Sequence, residues 1–486
     1  MTSKTAIAVL VVVGLTAAGT AAVLLRKPDP PPTIALQPCE VANVSAQCGT
    51  LEVFEDRGSR RGRKIGIKVV VLRALGQATA EPIFWLEGGP GGAATSAIGP
   101  VSQQYLRDLR DSRDLVFVDQ RGTGGSNPLN CTDIGESPDN LDAFFGRLFP
   151  PHLIRACRQQ LEQNADLRQY TTPLAMDDMD DVRAALGYEH INLAGASYGT
   201  LSAQIYIKRH PGRVRAAFLV GLATTSFKLP LPFARATQNA WDRVVTDCAA
   251  DAPCRGAFPE LKAEFDAVLA RFADGPIQVQ MRDPATGRDR SVALEREAFV
   301  ERLRAMLYTT FGARVVPIVV HRAFLGDFHA FQTMAARHRL GGASSRGAYF
   351  SMTCSESVPF ITEAEIVAET SATFLGDRRT RAHIDACKEW VRGDVDRSFL
   401  EPVRTDVSVV LFSGDVDGAT PPWIADQAIA NFSNGRLVRA INTGHQVSGP
   451  CTWGLMHAFF TSPVARQLDV SCAADLRRPA FALEVN

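Results

Sequence analysis

Ile191-Asn192-Leu193-Ala194-Gly195-Ala196-Ser197-Tyr198-Gly199 is the stretch that decides the fold of this chain. Its last five residues have the form G-x-S-x-G, and the apolar run before them reads as a short buried strand. Thr200 to Lys208 follow, with Leu201, Ile205 and Lys208 at helical spacing. Strand, sharp turn and helix form the context in which a serine hydroxyl is lifted clear of a sheet edge. The hydroxyl then sits at the positive end of the new helix. The plainer alternative is a glycine-rich turn with an incidental serine.

Outward from that turn, short apolar runs alternate with helical patterns. Gly49–Phe54 and Lys64–Leu72 read as a leading hairpin. Pro82–Leu86, Asp114–Asp119 and Ala216–Gly221 read as buried parallel strands that end in loops. Helical spacing runs from about Ser102 to Leu109 and from Pro173 to Leu186, where Met176, Met179, Val182 and Leu186 share a face. This rhythm predicts an open, mostly parallel α/β sheet with helices on both faces. It stops near Leu222. From 225 to 400 the pattern is mainly helical, broken by one hairpin, Ile277–Met281 with Arg290–Leu294. The sheet pattern resumes at Val407–Phe412 and Gly435–Ile441. The expected organisation is therefore a first core segment over 33–224, a helical insertion over 225–400 placed as a cap would be, and a second core segment over 401–486.

The first 32 residues belong to none of these. Lys4 precedes an apolar stretch from Thr5 to Leu25, closed by Arg26-Lys27 and the spacer Pro28-Asp29-Pro30-Pro31-Pro32. This pattern predicts an export signal, either cleaved after Ala21 or Ala22 or retained as a membrane anchor through residues 5–25. The ten cysteines agree with export to an oxidising compartment, periplasmic or secreted. They fall into neighbouring couples that suggest Cys39–Cys48, Cys131–Cys157, Cys248–Cys254, Cys354–Cys387 and Cys451–Cys472. No C-x-x-C or flanking His cluster points to a metal. Lys+Arg and Asp+Glu are equal at 52 each, so the composition argues against nucleic acid as a partner.

Serine is a weak nucleophile at its own pKa and needs a base, and that base needs an orienting carboxylate. The strand ending at Phe412 leads into Ser413-Gly414-Asp415-Val416-Asp417-Gly418-Ala419-Thr420. The next leads into Asn442-Thr443-Gly444-His445. Both loops leave the sheet edge that carries Ser197, in the chain order Ser, Asp, His. His445 is the one histidine in a Gly-His turn after a late strand. Asp415 and Asp417 compete for the acid role; Asp417 is the choice, because it stands farther along the loop toward His445. An oxyanion needs preorganised N–H donors. The amide of Tyr198 is one candidate, and Gly89, in Glu87-Gly88-Gly89-Pro90-Gly91-Gly92, is preferred over Gly88 as the other.

Together Gly88-Gly89-Pro90-Gly91, Asp119-Gln120-Arg121-Gly122-Thr123-Gly124-Gly125-Ser126, Gly195–Gly199, Ser413–Pro422 and Gly444-His445 resemble the proline iminopeptidase-like α/β-hydrolases. Cys39, Cys48-Gly49-Thr50-Leu51, Thr353-Cys354-Ser355-Glu356 and Cys387-Lys388-Glu389-Trp390 look like the secreted tripeptidyl aminopeptidase branch of that family. The resemblance runs from about residue 39 to 475.

It implies an α/β-hydrolase fold with a large helical cap and a Ser197–Asp417–His445 triad. The implied activity is that of an exported serine hydrolase releasing short N-terminal units from peptides. An esterase or amidase acting on small esters or amides is the alternative. No metal or organic cofactor is implied. Acidic cap residues in this family hold the substrate's ammonium, and Glu356 matches that role; the alternative is a solvated residue beside a disulfide. Asp119 and Arg121 are expected to brace loops. The sequence departs from the branch at Glu87, Asp415 and Gly418, positions that bear on the specificity pocket and on the choice of acid.

Overall fold

In the computed structural model, the described residues are 33–484 apart from 100–102, 132–133, 135–136, 339–343 and 446–448. The apolar segment over 5–25 and its spacer lie outside them. No single helix among the described residues is long and apolar enough to cross a membrane.

Eleven strands are described: β1 (Gln37–Val41), β2 (Val44–Phe54), β3 (Lys64–Leu72), β4 (Ile83–Leu86), β5 (Leu115–Val118), β6 (Ile191–Ala196), β7 (Val214–Val220), β8 (Ile277–Arg282), β9 (Asp289–Leu294), β10 (Ser408–Gly414) and β11 (Gly435–Ala440). Nine of them form one sheet in the order β1-β2-β3-β5-β4-β6-β7-β10-β11. The run from β5 to β11 is parallel throughout, while β1, β2 and β3 add antiparallel strands at one edge. β1 is the one strand the sequence pattern misses, since its five residues are mostly exposed and show no apolar run.

The parallel strands are buried on both faces, as their continuous apolar runs require. Leu193, Leu219 and Leu411 pack on one face against Met176, Met179 and Ile205 from the helices Thr172–Ala185 and Tyr198–Arg209. Ala194, Phe218 and Phe412 pack on the other against Leu106 and Phe459 from the helices Gln103–Leu109 and Pro450–Thr461. This is the expected mostly parallel sheet with helices on both faces.

Between β7 and β10 the chain is helical apart from β8 and β9, which pair into a separate antiparallel hairpin. A third cluster, including Trp241, Phe265, Phe299 and Phe331, gives this insertion its own apolar centre. All ten cysteines form disulfides, in the five pairings anticipated. Asp119 and Arg121 hold loops together. Asp119 accepts hydrogen bonds from the amides of Thr95 and Gly125. Buried Arg121 forks onto Asp178 at 2.6 and 2.8 Å and donates to the carbonyls of Glu55 and Gln169.

Candidate active site

β6 ends in a turn that forces Ser197 to φ 54° and ψ −122°, a conformation that side-chain-bearing residues rarely adopt. The helix Tyr198–Arg209 begins at the next residue. Ser197 N–H is anchored on the Val220 carbonyl at 2.9 Å, while its own carbonyl accepts the Thr200 hydroxyl at 2.6 Å. Gly199 lies so close to β4 that a Cβ there would meet the Leu86 carbonyl oxygen. The elbow and the loop after β4 are thus packed backbone to backbone.

His445 and Asp417 converge from the ends of neighbouring strands. Nδ1 of His445 is 2.8 Å from Asp417 Oδ2, and both side chains are buried. A carboxylate only accepts, so Nδ1 carries the proton and Nε2 keeps the lone pair in the neutral ring. Asp417 is itself fixed. Its Oδ1 accepts from the amides of Ala419 at 2.7 Å and Thr420 at 2.8 Å, and its Oδ2 accepts from the Thr420 hydroxyl at 2.8 Å. His445 is held from behind by its N–H to the Tyr308 carbonyl, 2.8 Å, and by an edge contact with the Tyr308 ring, 4.6 Å between centroids. Asp415 takes no part. Its carboxylate lies 3.9 Å from Arg243, and burial raises its pKa.

The two proposed oxyanion donors flank Ser197. Gly88 N–H is taken by the Glu87 carboxylate at 3.1 Å. Among the described residues no acceptor takes the N–H of Gly89 or of Tyr198. Gly89 has φ +128°, open to glycine and strained for other residues. Gly89 and Tyr198 line a cavity together with Ser197, and their amides are the ones a developing oxyanion would need.

Ser197, Gly89 and His445 open on one cavity of about 650 Å³, closed from the other side by residues of the insertion. Glu297, Glu301, Arg304, Tyr308 and Arg379 line it. None of these stands out in the sequence, where they read as ordinary positions of amphipathic helices. A short E-x-x-x-E-x-x-R spacing along Arg296–Leu307 is a signal that could have found Glu297, Glu301 and Arg304, and nothing comparable marks Tyr308 or Arg379.

Glu356 sits elsewhere, on a small side cavity that also reaches Ser197 and Tyr198. It is fully buried, which overturns the solvated alternative. Its carboxylate accepts the Thr172 amide at 2.5 Å and the Thr172 hydroxyl at 2.7 Å, and the Thr172 hydroxyl is 2.6 Å from the Tyr198 hydroxyl. Burial pushes its pKa up to about 7 against these bonds. Among the described residues no group of His, Cys, Asp and Glu is arranged to hold a metal ion.

A family model described as alpha/beta hydrolase fold matches residues 81–448. Serine protease Hip1 of Mycobacterium tuberculosis is 24% identical over 449 residues, covering 84% of this chain and 84% of that protein. A tripeptidyl aminopeptidase of Streptomyces lividans is 28% identical over 181 residues, 35% of this chain and 34% of its own. The solved structure of a proline iminopeptidase from Mycobacterium smegmatis aligns over 85% of this chain and 97% of its own, at 16% identity and a TM-score of 0.40.

Proposed function

The chain belongs to the alpha/beta hydrolase fold family, and from that premise we propose that it is an exported serine peptidase removing short N-terminal units through an acyl-enzyme. One observation carries the proposal. Ser197 and His445 face a single cavity, and Asp417 locks His445 in the tautomer that leaves Nε2 free to take a proton.

In this reading Ser197 Oγ attacks the substrate carbonyl carbon and its proton passes to His445 Nε2. The carbonyl oxygen becomes an oxyanion held by the Gly89 and Tyr198 amides. The C–N bond then breaks, and His445 gives its proton to the leaving amine. Water attacks the Ser197 ester with His445 again as base, releasing the acid and restoring the serine.

A free N-terminus calls for a carboxylate near the acyl side. Glu356 beside Ser197 and Tyr198 is one such group, and Glu297 in the main cavity is another. The similarity to a tripeptidyl aminopeptidase and to a serine protease supports peptide substrates. Five disulfides support an oxidising compartment, with residues 5–25 as signal or anchor.

The test uses a short peptide anilide with a free N-terminus and its N-acetylated twin, with Ser197→Ala as blank. Cleavage of the free form alone supports the aminopeptidase. Equal cleavage of both, or turnover of simple esters alone, replaces it with an amidase or esterase.

A further inference from the structure

The cavity in front of Ser197 carries more positive charge than its own acids neutralise. Arg147, Arg302, Arg304, Arg346 and Arg379 line it, against Glu87, Glu297 and Glu301. Glu87 is occupied by the Trp85 indole N–H and the Gly88 amide. Arg302 lies over the Phe144 ring at 3.6 Å and donates to the Phe144 carbonyl.

Arg304 and Arg379 differ from the others, because both are withdrawn from solvent and converge on one carboxylate. Oε2 of Glu301 accepts from Arg304 Nε at 2.9 Å and from Arg379 Nη1 at 2.5 Å. Two guanidinium groups on one carboxylate leave a positive charge in excess. The remaining donors are not all used: Arg304 Nη1 and Arg379 Nε are buried with no hydrogen-bond partner among the described residues. A buried guanidinium N–H without an acceptor is costly, and native structures rarely leave one without a reason.

The surroundings sharpen the imbalance. Burial and the neighbouring Arg379 push Arg304 below its ordinary pKa. Burial and Glu301 push Glu297, one turn earlier, above its own, with Arg378 and Arg147 opposing. His383, packed beneath Arg379 and bonded to Tyr349, is held neutral by burial, with a pKa lowered to about 3. The pair also lies within reach of the chemistry. Arg304 stacks 5.6 Å from the ring of Tyr308, and that ring touches His445.

We propose that Arg304 and Arg379 form a carboxylate-binding subsite of the reaction cavity, selecting substrates that carry an acidic group a short distance from the scissile bond. The carboxylate can come from an acidic side chain or from the C-terminus of a short peptide. The inference rests on the same cavity being the substrate site, and it holds for a peptidase or an esterase.

The test is a ratio of kcat/KM values within three matched pairs: a short peptide as free acid and as C-terminal amide, the same peptide amide with Glu and with Gln, and 4-nitrophenyl hydrogen succinate with its methyl ester. The wild type should favour the charged member of at least one pair by about 10–100-fold, the worth of a charge-assisted hydrogen bond. Which pair responds identifies the source of the carboxylate. Arg379→Gln and Arg304→Gln should collapse that ratio, while Arg379→Lys should keep part of it. Misfolding lowers both members of a pair and leaves the ratio standing, so a structural role reads differently. Equal rates within every pair, or a ratio unchanged in both Gln variants, would overturn the subsite. If peptides go uncleaved while the succinate pair turns over, the peptidase reading fails and the subsite is decided on the esters alone.

Discussion

Asp417 reaches His445 Nδ1 at 2.8 Å with one oxygen, while its other oxygen is gripped by the amides of Ala419 and Thr420. The carboxylate therefore cannot swing away from the ring without giving up two backbone bonds. Asp415, two residues earlier, turns toward Arg243 at the back of the loop.

This geometry separates the two acids by a measurable margin. Asp417→Asn offers an amide that can present its N–H to Nδ1, favouring the tautomer that leaves Nε2 protonated and unable to act as base. A drop in kcat of about 10,000-fold is expected, as for other orienting acids replaced in this way. Asp415→Asn should stay within about 10-fold of wild type, since it changes a loop contact and leaves the imidazole alone. Steady-state kinetics on an activated ester decide between them. Comparable losses in the two variants would return the acid assignment to question.

Glu356 sets a pH dependence of stability. Its folded pKa of about 7 lies above the ordinary 4.5, so the folded chain holds the proton longer than the unfolded one. Its contribution is full below the unfolded value and is lost as pH rises through about 7. His383 has the opposite slope, because its folded pKa of about 3 lies below the ordinary 6.5 and stability falls with acid between those values. From pH 6.5 to 8 the unfolded form of His383 still gives up the rest of its proton and adds a small opposite slope. Glu356 is therefore read there as the difference between the wild type and Glu356→Gln, in which His383 cancels. There the wild type should lose roughly 1 kcal/mol that Glu356→Gln does not lose. Thermal melting in matched buffers checks it, and parallel curves for the two proteins would show that Glu356 does not titrate in this window.

The sheet was legible in the sequence because its parallel strands are buried on both faces and so appear as unbroken apolar runs. Leu193, Phe218 and Leu411 each mark one. Ser197, Asp417 and His445 were legible for a related reason, since a parallel sheet delivers its loops to one edge in chain order. The cavity's far wall was not. Glu301, Arg304 and Arg379 lie on helices whose spacing says only that one face is covered. Whether that face meets apolar core or a polar cavity depends on how the insertion packs on the sheet. β1 escaped for the reverse reason: an exposed edge strand is fixed by its partner β2 and by the Cys39–Cys48 bridge, and its own side chains carry little signal.

Cys354–Cys387 joins the helix that ends at Glu356 to the helix Arg378–Lys388, which carries Arg379. The sequence separation is 33 residues, and closing a loop of that length in the unfolded chain is worth roughly 2–5 kcal/mol. Alanine is the fitting replacement, because both positions face apolar neighbours in one cluster that includes Ala386 and Trp390. The Cys354→Ala, Cys387→Ala pair should lower the unfolding free energy obtained from urea denaturation by an amount in that range, seen as a lower midpoint at unchanged slope. It should also blunt the acid-over-amide selectivity of the cavity, since Arg379 loses its tether. An unchanged midpoint would mean that packing alone fixes these helices.

Gly199→Ala tests whether the elbow tolerates any side chain at its base. The added methyl would press on the Leu86 carbonyl oxygen and come within 3.1 Å of the Glu87 carbonyl oxygen, and neither can rotate aside as a side chain could. Relief requires moving either the start of the helix Tyr198–Arg209 or the loop that leads to Gly89. Either shift separates Ser197 from an oxyanion donor, and a misplacement of about 1 Å can cost on the order of 100-fold in rate. Gly454, inside the helix Pro450–Thr461, has nothing near its missing Cβ, so Gly454→Ala should leave activity intact and stabilise by about 1 kcal/mol. Ester turnover and melting temperature measured on both variants decide the matter. Full activity in Gly199→Ala would show that the backbone contact between elbow and glycine loop is not what positions the nucleophile.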